Sequence, residues 1–115
     1  MFVPGQQARI WLCTKPTDMR KSYNGLIALV KHQLEQDPLS GHYFVFVNRR
    51  RTMMKVLYFE SSGYCVWSKR LEQGQFQVRA SPAGQRTLTW TDLQLLLDGI
   101  EVQKVRQFKR YRHVA

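Results

Sequence analysis

The stretch YFVFVNRRRTMMKVLYFE, residues 43–60, decides how this chain folds. Two runs dense in aromatic and β-branched residues flank Asn48, Arg49, Arg50, Arg51 and Thr52. Apolar runs of strand length broken by a polar handful predict a β-hairpin. The tip then carries three adjacent arginines that repel one another, where any soluble side chain would serve. Asn48 is a residue suited to a left-handed turn position at such a tip.

Working outward, the pattern predicts more strands on the C-terminal side. Tyr43–Val47 is apolar throughout, as in a central strand, and Met53–Glu60 is mostly apolar with Lys55 near its mouth. Ser61, Ser62 and Gly63 form a turn. Residues 64–70 follow as a strand, then a second turn over residues 71–74. Residues 75–79 alternate, with Phe76 and Val78 directed inward. Short turns between consecutive strands predict antiparallel pairing and a four-stranded meander. Residues 87–89 are candidates for a fifth strand. The helix after it has Leu93, Leu96, Leu97 and Ile100 on one face and Gly99 near its end, with Thr89 and Asp92 or Thr91 and Gln94 as its cap pair.

On the N-terminal side, Ile10–Cys13 suits a short strand. A longer helix follows, blocked by Pro16, capped by Thr17 or Asp18 and ended by Asp37 and Pro38. Tyr23, Leu26, Ile27, Val30 and Leu34 recur at helical spacing, with Lys21, Asn24, Lys31, His32 and Glu35 opposite. Gly25 weakens that helix by about 1 kcal/mol and allows close packing. The expected fold is α+β: an antiparallel meander sheet of four to five strands, one longer N-terminal helix, one short C-terminal helix and a basic tail. Residues 1–100 form the expected single domain, and residues 101–115 the tail.

The chain has 115 residues, enough for one core without staples. It holds no apolar run long enough to cross a bilayer and no leader-like start, so the expected compartment is the cytoplasm, with nucleoid association if DNA is bound. Cys13 and Cys65 sit apart in apolar runs, without metal-ligand spacing, and read as buried reduced thiols. The net charge of +10 is the informative quantity, because it attracts polyanions.

Three groups of cations stand out. Arg49, Arg50 and Arg51 have no acid nearby except Glu60. They read as a phosphate-contacting tip, against the bland alternative of a solvated turn that guards an edge. Lys104, Arg106, Lys109, Arg110 and Arg112 are interleaved with Val105, Phe108 and Tyr111, the composition of an arm that tracks a nucleic-acid backbone. The alternatives there are a frayed terminus, a docked helix or a membrane-surface helix whose apolar face is thin. Arg20 and Lys21 lie at a helix start, where a cation is oddly placed unless it faces an anion. Lys55, Lys69 and Arg70 extend the basic surface along the sheet. The acids fall mostly at caps, turns and helix ends, and no HExxH, glycine-rich phosphate loop or activated nucleophile appears. No enzyme, cofactor, metal or small-molecule substrate is expected.

Taken together, PTDMRKSYNGLIALV, DPLSGHYFVFVNRRR, KVLYFESSGYCVWSKRLEQGQF and LTWTDLQLLLDGI resemble the TnpB-type accessory proteins of bacterial transposons of the insertion sequence 66 family. The resemblance covers residues 10–100. The family's Pro-Thr-Asp-Met-Arg-Lys maps onto Pro16, Thr17, Asp18, Met19, Arg20 and Lys21. Its lysine before the third strand maps onto Lys55, and its Lys-Arg-Leu-Glu onto Lys69, Arg70, Leu71 and Glu72. The chain departs from the pattern at Gln75, where arginine is usual, and at Trp90, where proline is usual. The resemblance implies a non-catalytic protein encoded beside a transposase and needed for full transposition. The expected partners are DNA, at transposon ends or without sequence preference, and the transposase of the same element. The competing expectation is an adaptor that docks on the transposase without touching DNA, through Tyr43, Tyr58, Tyr64 and Trp67 where these are exposed. RNA binding is weaker, for want of an RNP-type motif.

Overall fold

A computed structural model describes residues 8–98. In chain order the elements are β1 (Ile10–Cys13), α1 (Tyr23–His32), β2 (Tyr43–Val47), β3 (Met53–Glu60), β4 (Gly63–Arg70), β5 (Gln85–Leu88) and α2 (Trp90–Leu97). The strands form one sheet in the order β4-β3-β2-β1-β5.

The hairpin over residues 43–60 is present, with Phe44 opposite Leu57 and Val47 opposite Met54. β4 continues it antiparallel to β3. The meander stops there. β1 lies parallel to β2, Ile10 opposite Tyr43, and β5 runs antiparallel to β1. The sheet is therefore mixed, correcting the antiparallel expectation. The physical reason is α1, which carries the chain back across one face so that β1 and β2 run the same way.

Residues 75–79 are the second correction. Phe76 and Val78 are buried as their alternation requires, but among the described residues the segment pairs with no strand. Alternation decides which side chains turn inward and leaves ladder formation open. The fifth strand falls at residues 85–88, slightly before the expected place.

β2 is buried along its whole length because both sheet faces are covered. Phe44, Phe46 and Leu57 join Leu26, Val30 and Leu34 of the α1 side. Tyr43, Val45, Val47, Met54 and Val56 join Phe76, Val78, Leu93, Leu96 and Leu97 on the other face. α1 starts later than its cap signals indicate. Ser22 is its N-cap and makes no side-chain cap bond, while Thr17 is buried with its N–H on the Val47 carbonyl. Tyr23, expected inside, is 47% exposed. At α2 the structure chooses Thr89 and Asp92, which form a reciprocal capping box. Gly99, Ile100 and the tail lie outside the described residues.

Candidate nucleic-acid interface

The hairpin tip is built by Asn48. Its carbonyl accepts from the Arg51 N–H at 3.0 Å, closing a turn. Its side-chain Oδ1 accepts from the Thr52 and Met53 N–H groups at 2.9 and 3.0 Å. Arg51, and not Asn48, takes the left-handed position, at φ 59°. A non-glycine residue there costs about 1–2 kcal/mol.

The segment after β4 braces the tip from below. The Leu71 N–H donates to the Thr52 carbonyl, the Phe76 N–H to the Arg51 carbonyl at 2.6 Å, and the Gln75 amide to the Arg50 carbonyl at 2.9 Å. Phe76 is fully buried beneath. The backbone of the tip is therefore held, while the side chains of Arg49, Arg50 and Arg51 are exposed and pair with no carboxylate among the described residues. Gln75, which replaces the usual arginine of the resembled family, has this structural use.

β1 and β2 are parallel, so their C-terminal ends share one end of the sheet with the hairpin tip. The lead-in to α1 crosses that end. The bond from Thr17 N–H to Val47 O brings it to the base of the tip, and Lys55 Nζ donates to the Lys21 carbonyl at 2.7 Å. Gly25 is explained here: a Cβ would approach Lys21 Cβ to 3.0 Å, so glycine lets the lysine stem lie against the helix.

Of the other expected residues, Arg20 and Arg70 hold carboxylates of their own chain. Arg20 makes two-pronged contact with Asp18, its Nη2 at 2.7 Å from Oδ2, and the guanidinium pulls the Asp18 carboxyl down to about 2. Arg70 Nη2 lies 2.9 Å from Glu72 Oε1. Both pairs are well exposed, where such bridges contribute little and exchange readily for another anion.

Lys55 and Lys69 do not form one surface. Lys55 stands opposite Phe46, on the α1 face, whereas Lys69 stands opposite Met54, on the α2 face. Lys69 Nζ donates to the Leu97 carbonyl at 2.8 Å, at the negative end of α2. Lys104, Arg106, Lys109, Arg110 and Arg112 lie outside the described residues. One cation at this end went unnoticed in the sequence. Lys15, two residues past the end of β1, lays its stem over Gly84, where a Cβ would come within 2.9 Å of Lys15 Cε. Its place beside the Pro16 motif is the signal that points to it.

The opposite end of the sheet carries Glu35 and Asp37 after α1, Glu60 at the β3–β4 turn and Asp92 in the first turn of α2. The division of cations and acids along the strand direction is incomplete, because Asp18, Glu72 and Asp98 lie at the tip end and Arg9 and Lys31 at the other. The aromatic set expected to mark an adaptor face is mostly covered: Tyr43 is buried, and Tyr58, Tyr64 and Trp67 are half-buried. Cys13 is buried, its thiol pushed up by desolvation, while Cys65 is only half-buried; both are free. Among the described residues no three His, Cys, Asp or Glu side chains converge, and no helix is long and apolar enough to cross a membrane.

Comparison with known proteins agrees with the motifs. The family described as "IS66 Orf2 like protein" matches residues 8–107. Two proteins of Sinorhizobium fredii are similar over nearly their whole lengths. "Uncharacterized protein y4hO" is 35% identical over 101 residues, covering 88% of each chain. "Uncharacterized protein y4jC" is 33% identical over 107 residues, covering 93% of this chain and 92% of its own. No solved structure matches. With both chains aligned through the strands and helices just described, this protein belongs to the IS66 Orf2-like family.

Proposed function

We propose that this IS66 Orf2-like protein serves transposition as a non-catalytic DNA-binding factor, holding phosphates at the hairpin end of its sheet. Family membership supports the accessory role in transposition. The observation that supports DNA contact is the arginine tip. Three guanidinium groups stand on a braced backbone with no carboxylate partner among the described residues. Arg fits phosphate with a planar fork of donors.

Arg49, Arg50 and Arg51 make the primary contacts. Lys21, Lys55 and Lys15 flank them, and Arg20 and Arg70 join when phosphate displaces Asp18 and Glu72. Lys69 serves the fold at α2 and is left out of the contact set. Lys104, Arg106, Lys109, Arg110 and Arg112 act as a basic arm appended to the α+β body. The contacts are to backbone, so the protein binds transposon ends without strong base preference and works beside the transposase.

The test is a titration of the purified chain against transposon-end and random duplexes over a salt series. Replacing Arg49, Arg50 and Arg51 by alanine removes three phosphate contacts. The slope of log K against log salt then shrinks by about 2.7, at roughly 0.9 per phosphate. An unchanged slope and affinity overturn the tip as the contact. If DNA is not bound at all while the transposase is retained in a pulldown, the adaptor reading stands instead.

A further inference from the structure

We infer that β4 is a self-association edge, through which two copies of this chain join their sheets antiparallel about a two-fold axis. The two edges of the sheet differ. β5 is four residues long and carries exposed Arg86. Short length and charge are the usual protections of an edge. β4 is eight residues long, and its first five, Gly63, Tyr64, Cys65, Val66 and Trp67, hold neither charge nor proline. Among the described residues nothing pairs with its outer side.

The hydrogen-bond parity states which groups are free. The Leu71 N–H bonds the Thr52 carbonyl, extending the register in which Arg70 faces Met53. In an antiparallel ladder, bonded and non-bonded pairs alternate. Trp67 and Lys69 therefore spend their backbone groups on β3. Tyr64, Val66, Ser68 and Arg70 direct theirs outward.

A second β4 is the complementary occupant. The strand carries Lys69 and Arg70 at one end and adjoins Glu60 at the other. Lys69 is held by the Leu97 carbonyl, but the exposed Arg70–Glu72 pair can exchange. Antiparallel pairing therefore brings Arg70 of each copy toward Glu60 of its mate, and the contact is isologous. The register that uses every outward group places Tyr64 against Arg70 and Val66 against Ser68. Trp67 then faces its own counterpart. The pair exposes two arginine tips at opposite ends. If those tips hold DNA as proposed above, one dimer engages two duplex segments; the association itself does not depend on that reading. The net charge of +10 opposes the dimer at low ionic strength. Salt screens this repulsion, so the dimer strengthens with salt where phosphate binding weakens.

The parity supplies its own test. Proline is tolerated at an edge position whose N–H faces solvent. Ser68→Pro removes one outward donor and no bond to β3. Light scattering after gel filtration, at rising salt, should show a dimer for the wild-type chain and a monomer for Ser68→Pro, with matching circular dichroism. In a Cys65→Ser background, Trp67→Cys should form an intermolecular disulfide under mild oxidation, because non-bonded cross-strand pairs lie at disulfide distance. Should Ser68→Pro fail to fold, the cross-link decides. A wild-type chain that stays monomeric at every salt concentration, or a Trp67→Cys variant that does not cross-link, overturns the proposal. A monomer that captures an extended segment of another protein on this edge does so equally.

Discussion

The two turns of the meander solve the same problem with different residues. The β3–β4 turn is Ser61 and Ser62, with Ser61 left-handed at φ 56°. The β2–β3 turn also has a left-handed non-glycine residue, Arg51 at φ 59°, yet it carries three arginines. Solvent and geometry are satisfied by serines at one end of the sheet, so neither demands guanidinium groups at the other. Among the described residues the β2–β3 turn alone is braced from beneath, by Leu71, Gln75 and Phe76. A turn that is both charged and held rigid is suited to meeting an anion at a defined place.

The largest effect is expected from removing the brace. Phe76→Ala empties a fully buried site and should cost about 3–5 kcal/mol in denaturant unfolding. It should also loosen the tip; a loss near zero would mean that the segment 71–84 contributes nothing to the comparison. Next comes moving the charge from one turn to the other. Ser61→Arg with Ser62→Arg, placed in the chain whose tip arginines are alanine, returns positive charge to the opposite end of the sheet. DNA affinity measured by anisotropy should stay at the alanine level. Recovery would show that net charge suffices and the end of the sheet does not matter.

Asn48→Ala should cost about 1–2 kcal/mol, because it strips the acceptor from the Thr52 and Met53 N–H groups. No residue of the serine turn should be as sensitive to alanine. The smallest effect concerns Asp18. Its carboxyl lies at about 2 against an ordinary 3.8, held down by the Arg20 guanidinium. A depressed value means the pair's stabilisation is complete above the ordinary carboxylate range and is lost as pH falls through about 2. The pair is exposed, so the melting temperature should hardly move. Carboxyl chemical shifts should show the low titration, and Arg20→Ala should raise it only part of the way, because the residue-20 N–H still donates to Asp18 Oδ1.

Much of the fold was legible because its signals are local. The hairpin, the strands on either side of Ser61 and Ser62, and the inward rows Leu26, Val30 and Leu34 or Leu93, Leu96 and Leu97 follow from periodicity and turn residues. The Thr89 and Asp92 alternative was on the page as well. The lead-in to α1 misled because Thr17 and Asp18 are good caps, but Thr17 is drawn onto β2 and Asp18 onto Arg20. Of the site, the tip was readable from its missing counter-charge. The partition of Lys55 and Lys69 to opposite faces was implicit in strand alternation, yet it gains meaning only with α2 in place behind Lys69.

Side-chain direction along a strand and the chemistry of short turns depend on residues a few positions apart, and there the amino-acid order was sufficient. It determined an α+β chain with two covered faces, one arginine-tipped hairpin and a strongly positive surface. Which strands became neighbours was decided in three dimensions. Ile10–Cys13 had to travel past α1 to lie beside β2 and then receive β5, a pairing of segments that share no turn. Burial on both sides of β1 and β2 selected it, and that choice brought Lys15, Lys21, Lys55 and the three tip arginines to one end of the molecule.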